Sequence, residues 1–324
     1  MIPNKLNAGD EIRIVAPALS LSILSKEHIT LAEKRLKDMG FKVTYSKNVK
    51  EKNAFNSSSI KSRVDDLHEA FRDKNVKLIM TVIGGFNSNQ LLKYLDYKLI
   101  KANPKIFCGY SDIDALNNAL FAKTGLVTYS AIQFSTFGMI KGFEYSLEYF
   151  KKCLMQDKPF EIKPSKTWSD DAWWINQEKR TFIKNTGYWI INKGNAEGTI
   201  LGGNLCTFNL LQGTEFMPNL KGAILFLEDD EDTNESLFDR DLQSVLHQQN
   251  FKYVKGLVIG RFQKKSKMTK EKLIKIIKTK KELDNIPIIA NLDFGHSAPY
   301  ISYPIGGKAR LSVTNKVKLE VLEH

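Results

Sequence analysis

"KIFCGYSDIDALNNAL", residues 105–120, is the stretch on which the fold turns. A β-branched and aromatic run ends at Gly109-Tyr110, and apolar residues then recur at helical spacing from Ile113 onward. A buried strand passing into a helix through so short a turn is half of a βαβ unit. Ser111 sits in that turn and is open to two readings. It can be the helix N-cap, with Asp114 standing in for the Glu of a capping box. Alternatively it can be a nucleophile held on a sharp strand-to-helix bend, where Gly109 relieves crowding. The G-x-S-x-G signature of α/β-hydrolases is not met, because Ile113 stands where its second glycine belongs.

Outward from this stretch, the same alternation fills the first half of the chain. Residues 11–17, 42–46, 76–83, 105–110 and 126–132 read as strands. "SKEHITLAEKRLKDMG", "SSSIKSRVDDLHEAFRD", "NSNQLLKYL" and "DIDALNNALFAKTG" read as helices between them. This pattern predicts a Rossmann-like parallel sheet over residues 1–156, covered on both faces, with ligands at the carboxyl ends of the strands. Residues 157–182 hold two prolines and three of the four tryptophans without a clean period, and read as a linker and Trp-rich loop. Strand-like segments such as "AILFLEDD", "GLVIGRF" and "IPIIANLDFG" then dominate, so residues 183–324 are expected to form a β-rich α+β domain. The fold class is therefore α/β in two domains.

The 324 residues are ample for two cores. Cys108, Cys153 and Cys206 form neither a disulfide framework nor a zinc pattern. No apolar run is long enough to span a bilayer, and "MIPNKLNAGDEIRIVAP" lacks the apolar core of a secretory signal, so a cytoplasmic location without membrane attachment is expected. The net charge of +12 invites a nucleic-acid partner. However, the densest run, "KKSKMTKEKLIKIIKTKKEL" (264–283), reads as an amphipathic helix with Leu273, Ile276 and Ile277 on one face and lysines on the other. No nucleic-acid motif accompanies it, so no nucleic-acid partner is expected.

A nucleophilic serine requires a base, and the chain has five histidines. His28, His68 and His247 lie on amphipathic helices, and His324 is the last residue. His296, in "DFGHSAPY", lies in an aperiodic loop after a buried strand, where functional residues are commonly carried. Glu228 ends the buried run "AILFLE" and could orient an imidazole, or could simply open a solvated acidic loop. A calcium loop starting at Asp230 fails at its sixth and twelfth positions, Glu235 and Asp241. "IGGFNSNQ" (83–90) is no nucleotide fingerprint, but its glycines allow close backbone approach to a reacting oxygen, and "HEAFR" (68–72) is no HExxH zinc motif.

Taken in order, "GDEIRIVAP", "RVDDLHEAFRDKNVKLIMTVIGG", "GYSDI", "GGNL", "FLED" and "FGHS" resemble the LD-carboxypeptidase family of serine peptidases, which includes the microcin C self-immunity hydrolases. The resemblance implies a Ser-His-Glu triad of nucleophile Ser111, base His296 and acid Glu228, split between two domains. It also implies a homodimer, with no metal and no cofactor. For such a mechanism the oxyanion donors would be the backbone N–H groups of Gly85 and Asp112. Ile83-Gly84-Gly85-Phe86-Asn87 stands where murein-directed members usually carry Arg-Gly-Gly-Tyr-Gly. With "WSDDAWW" (168–174), it looks more like the immunity branch, whose tryptophan-bearing loop stacks on substrate. Gly84, Asn87, Trp173, Trp174 and Asn204 are the implied substrate contacts. The expected substrate is either a small peptide of muropeptide type or an aminoacyl-nucleotide. The contrasting reading is a non-catalytic binder of a nucleotide or cell-wall fragment.

Overall fold

Five short apolar runs in the first half of the chain pair side by side into a parallel sheet. They are β1 (Glu11–Val15), β2 (Lys42–Tyr45), β3 (Val76–Thr81), β4 (Ile106–Gly109) and β5 (Thr128–Ser130). A computed structural model describes all residues, 1–324. β3 and β4 are buried almost throughout, as expected of parallel strands covered on both faces. The crossovers carry α1 (Lys26–Asp38), α2 (Ile60–Arg72), α3 (Tyr97–Ala102) and α4 (Asp114–Thr124). Ser25 and Ser59 cap α1 and α2 through side-chain oxygens that accept backbone N–H groups, each such cap contributing about 1 kcal/mol. α4 stops at Gly125, which adopts φ +74° as a left-handed cap.

α5 (Glu144–Met155) leads out of this sheet into the Trp-rich segment. That segment is partly regular. β6 (Phe160–Ile162) joins the second sheet, while β7 (Thr167–Trp168) and β8 (Ile183–Lys184) form a two-stranded ribbon. The second sheet continues with β9 (Trp189–Asn192), β10 (Gly194–Asn204), β11 (Ala223–Glu228), β12 (Gly256–Gly260) and β13 (Ile288–Leu292). After these come β14 (Tyr303–Ile305), β15 (Lys308–Val313) and β16 (Val317–Glu323). Its order is β6-β16-β15-β10-β11-β12-β13-β9, parallel from β10 to β13 and antiparallel outside. α6 (Leu205–Asn209), α7 (Glu235–Leu246) and α8 (Lys270–Lys278) belong to this half.

β14 leaves the second half of the chain and pairs antiparallel with β5, giving the first sheet the order β14-β5-β4-β3-β1-β2. Pro304 at its centre suits an edge strand, where one side needs no ladder donor. Two helix expectations require correction. The basic run 264–283 is α-helical only over α8, with 3-10 turns at Lys264–Ser266 and Lys281–Leu283, because Lys267 takes a left-handed φ of +56° and Thr269 caps the α-helix start. Residues 87–95 form a 3-10 turn, Ser88–Leu91, and the α-helix begins later, at Tyr97, behind the Asp96 cap. No helix is long and apolar enough to cross a membrane.

Candidate active site

The turn after β4 removes the N-cap reading of Ser111. Its backbone adopts φ +68°, a region costly for a residue with a side chain. Its Oγ caps no helix, since Tyr110 is the residue before the 3-10 turn Ser111–Ile113 and makes no side-chain cap bond. Instead, Ser111 Oγ lies 2.8 Å from His296 Nε2. Gly109 makes the bend possible, because a Cβ there would fall 2.2 Å from Thr81 Oγ1 and 2.9 Å from Ile113 Cγ2.

Glu228 ends β11 with its side chain fully buried and accepts a hydrogen bond from His296 Nδ1–H at 3.0 Å. Its other oxygen, Oε1, has no partner. The imidazole is therefore the one group that compensates this buried carboxylate. Burial by itself lowers the His296 pKa, but attraction to Glu228, the hydrogen bond, and the field of Asp230 and Asp229 outweigh it, pushing the value up to about 9. Once Nε2 is deprotonated, the ring is placed to accept the Ser111 proton and to keep the resulting positive charge against Glu228.

Ser111 comes from the first sheet, whereas Glu228 and His296 come from the second half, so the seam between the sheets sets their distance. Several contacts hold that seam. Asn118 Nδ2 donates to Gly202 O at 2.6 Å, and Gly202 N donates to Asn118 Oδ1 at 3.2 Å. Asn204 N donates to Asp114 Oδ2 at 3.0 Å. A Cβ at Gly203 would lie 2.3 Å from that carboxylate oxygen, so "GGNL" lets β10 approach α4 closely. Ser130 Oγ and Tyr300 Oη are 2.8 Å apart beside the β5–β14 pairing.

The expected oxyanion loop also faces the serine. A Cβ on Gly84 would stand 3.2 Å from Ser111 Oγ and 3.5 Å from the Asp112 amide. The Asp112 carboxylate accepts the Asn87 and Ser88 amides at 3.1 and 2.9 Å, tying loop 84–88 to the helix start. Asn87 Oδ1 is held by Arg63 Nη1 at 3.1 Å, so only its Nδ2 remains for a ligand. Beyond this loop opens a cleft of about 480 Å³ bounded by Leu19, Phe55, Arg63, Phe86, Asn87 and Gln90. A depression of about 530 Å³ on α7 has no apolar lining and shares no residue with the Ser111 chain of bonds.

The Trp-rich segment reaches the site through its base. Ser169 and Ala298 exchange backbone bonds of 2.8 and 2.7 Å, two residues past His296. Trp168 stacks on Arg261, whose buried ion pair with Asp293 (2.7 Å) steadies the strand end before His296. Trp173 packs edge-on against His28 at 5.6 Å, while Trp174 stays 59% exposed. Of the remaining histidines, His68 Nε2 accepts the Asp96 amide and His324 is bonded to Lys5 and the Cys153 carbonyl.

Sequence reasoning did not single out Asp114, Asn118, Cys206 or Asp229 for this region. Cys206, Asp229 and Asp230 bring their side-chain donor atoms within 4.8 Å of one another beside Asn204. The one legible signal was the acidic run that directly follows Glu228.

Comparison with known proteins identifies the family and the fold. The family model for the LD-carboxypeptidase N-terminal domain matches residues 12–131, and that for the LD-carboxypeptidase C-terminal domain matches residues 197–311. A crystal structure of an MccF-like protein from Bacillus anthracis superposes with TM-score 0.99 at 58% identity, covering 100% of both chains. The microcin C7 self-immunity protein MccF of Escherichia coli is 29% identical over 96% of this chain and 93% of its own. Its structure in complex with aspartyl sulfamoyl adenosine superposes with TM-score 0.90, covering 100% of this chain and 99% of that one. A Bacillus subtilis protein named as a probable murein peptide carboxypeptidase is 28% identical over 97% of this chain and 92% of its own.

Proposed function

This chain belongs to the LD-carboxypeptidase family and is a serine-type carboxypeptidase/hydrolase, and from that premise we propose that Ser111, His296 and Glu228 form its catalytic triad. The observation that carries the reading is the unbroken chain Ser111 Oγ to His296 Nε2 (2.8 Å) and His296 Nδ1 to Glu228 (3.0 Å). The left-handed backbone of Ser111, maintained at a cost, supports it.

In this mechanism neutral His296 takes the Ser111 proton at Nε2 as Oγ attacks a carbonyl carbon, and Glu228 stabilises the imidazolium. The amides of Gly85 and Asp112 receive the developing oxyanion. His296 then gives its proton to the leaving nitrogen, an acyl group remains on Ser111, and a water deprotonated by the same ring releases it. Residues 1–156 supply the nucleophile and residues 183–324 the base and acid, with 157–182 between them.

Identity does not separate the two substrate classes, because the MccF and murein-named relatives are almost equally similar, at 29% and 28%. The exposed Trp174, on a segment bonded to the His296 loop, favours a substrate with a flat ring, so the substrate read here is an aminoacyl-nucleotide amide. Side-by-side hydrolysis of aspartyl sulfamoyl adenosine and an L,D-linked muropeptide tetrapeptide, read by mass spectrometry, tests this. Ser111-dependent cleavage of the adenosine compound is expected. Cleavage of the tetrapeptide alone would keep the triad and replace the substrate. No Ser111-dependent cleavage of either would turn the search to other amide substrates before the non-catalytic binder.

A further inference from the structure

Arg63 and Arg261 are the buried arginines, each 3% exposed. Arg261 has a carboxylate, Asp293, at 2.7 Å, whereas every hydrogen-bond acceptor of Arg63 is neutral. From the first turn of α2, Arg63 Nη1 donates to Pro17 O at 3.1 Å, to Asn87 O at 3.0 Å and to Asn87 Oδ1 at 3.1 Å. Its Nη2 donates to Gln90 Oε1 at 2.7 Å and its Nε to Ser59 O at 3.4 Å. A buried cation with no opposite charge against it is costly, and a neutral side chain of the same length would fill the space equally well. The guanidinium therefore calls for a reason other than packing.

The opposite charge lies one peptide group away. The Asn87–Ser88 peptide accepts Arg63 Nη1 on its carbonyl oxygen and gives its N–H to Asp112 Oδ2 at 2.9 Å. Asp112 is likewise 3% exposed. Burial pushes its carboxyl above the ordinary range, and the Ser88 and Asn87 amides, with Arg63, oppose that shift. The peptide dipole is thus aligned between a guanidinium and a carboxylate, and both of its bonds are charge-assisted.

We propose that Arg63 is a positioning residue for the oxyanion hole, clamping the loop of Gly85 against the start of the Asp112 helix through the shared Asn87–Ser88 peptide. This deepens the hydrolase reading and rests on it. The Asp112 amide belongs to the residue at the anionic end of the clamp. Gly85 packs on the loop after β1, where a Cβ would lie 3.0 Å from Leu19 Cγ and 3.1 Å from Ala18 Cβ. Arg63 joins the carbonyls that flank this contact, Pro17 on one loop and Asn87 on the other. Its bonds reach none of Ser111, His296 and Glu228, so it acts only by fixing where the two amides point. Donors aimed at a developing oxyanion matter most in the transition state, so the effect falls on kcat and spares KM.

The test pairs binding of 1-aminoethylboronic acid with steady-state kinetics on aspartyl sulfamoyl adenosine. The Ser111 hydroxyl adds to the trigonal boron, its proton passes to His296, and the resulting tetrahedral boronate places an oxygen in the oxyanion hole. In Arg63→Met, boronate affinity and kcat are each expected to fall about 100-fold, comparable to loss of one oxyanion donor, with KM within about threefold of wild type. Arg63→Lys keeps the charge but not the fork, and is expected to lose about tenfold in both readouts. Should Arg63→Met not fold by circular dichroism, Arg63→Lys carries the test. Affinity and kcat within about threefold of wild type, a loss confined to KM, or a fall in kcat with boronate affinity retained would overturn the role. If the adenosine compound is not cleaved, the boronate arm decides alone, since it needs no leaving group. Failure of the hydrolase reading shows separately, as boronate affinity that is the same in wild type and Ser111→Ala.

Discussion

The Ser111–His296–Glu228 centre and the Trp loop at 168–182 sit side by side and are built in opposite ways. The centre sets half-buried Ser111 and His296 on a fully buried Glu228, is closed by glycine-permitted contacts, and is locked across the seam by Asp114, Asn118 and Asn204. The loop is bonded at its base and through Gln177 to Gly138, yet it leaves Trp174 59% and Ile175 79% exposed. The contrast separates two kinds of information. On the proposed reading, reaction chemistry is pre-organised in the centre, whereas recognition of a flat ring rests on a few surface side chains with little structural duty.

If that division holds, Ser111→Ala lowers turnover by roughly 10⁴- to 10⁶-fold while leaving the melting temperature almost unchanged. Glu228→Gln costs roughly 10³- to 10⁴-fold, through loss of the imidazole's orientation and charge partner. A loss below about tenfold for either, in steady-state kinetics on the hydrolysed substrate, would show that this chain of bonds is not the reaction centre.

The protonation of His296 gives the next effect. Its pKa is pushed up to about 9, so the free enzyme holds the ring protonated at neutral pH and only the minor neutral form can act as base. kcat/KM should therefore rise about tenfold per pH unit up to the vicinity of pH 9. Stability runs the other way. A histidine pKa raised on folding contributes stability that is complete below about 6.5 and is lost as pH rises through about 9. Asp229 and Asp114, pushed up mainly by burial to about 8 and about 7, add losses of the same sign that begin near their ordinary acid range. The melting temperature should fall between pH 6.5 and 9, and less steeply in Glu228→Gln; a flat profile would break this electrostatic account.

The smallest effect belongs to the loop. Trp174→Ala is expected to raise KM for a nucleotide substrate by roughly 5- to 100-fold through lost stacking, with kcat and melting temperature unchanged. A fall in kcat or stability instead would place Trp174 in the scaffold.

Much of this was legible before the structure. The alternating runs of residues 11–132 marked β1 to β5 within a residue or two, because parallel strands buried on both faces need continuous apolar stretches. Ser111, Glu228 and His296 were legible as a set through family resemblance, while each alone had a bland reading. The left-handed turn of Ser111 was not, since nothing local forces a serine into that region and only tertiary packing holds it there. β14 escaped notice because three residues with a central proline carry no periodic signal. Residues 87–95 misled through helix-like apolar spacing that is spent on a 3-10 turn held by Asp112. The seam residues Asp114 and Asn118 look like ordinary helix positions, and their role exists only once β10 lies against α4.

The account stands most directly on whether Ser111 becomes acylated. Wild-type protein mixed with the hydrolysed substrate, quenched in acid on the millisecond scale and digested, would be read by tandem mass spectrometry. The account predicts the acyl mass on Ser111 and on no other residue, and none in Ser111→Ala. Turnover without that adduct, persisting in Ser111→Ala, would contradict it.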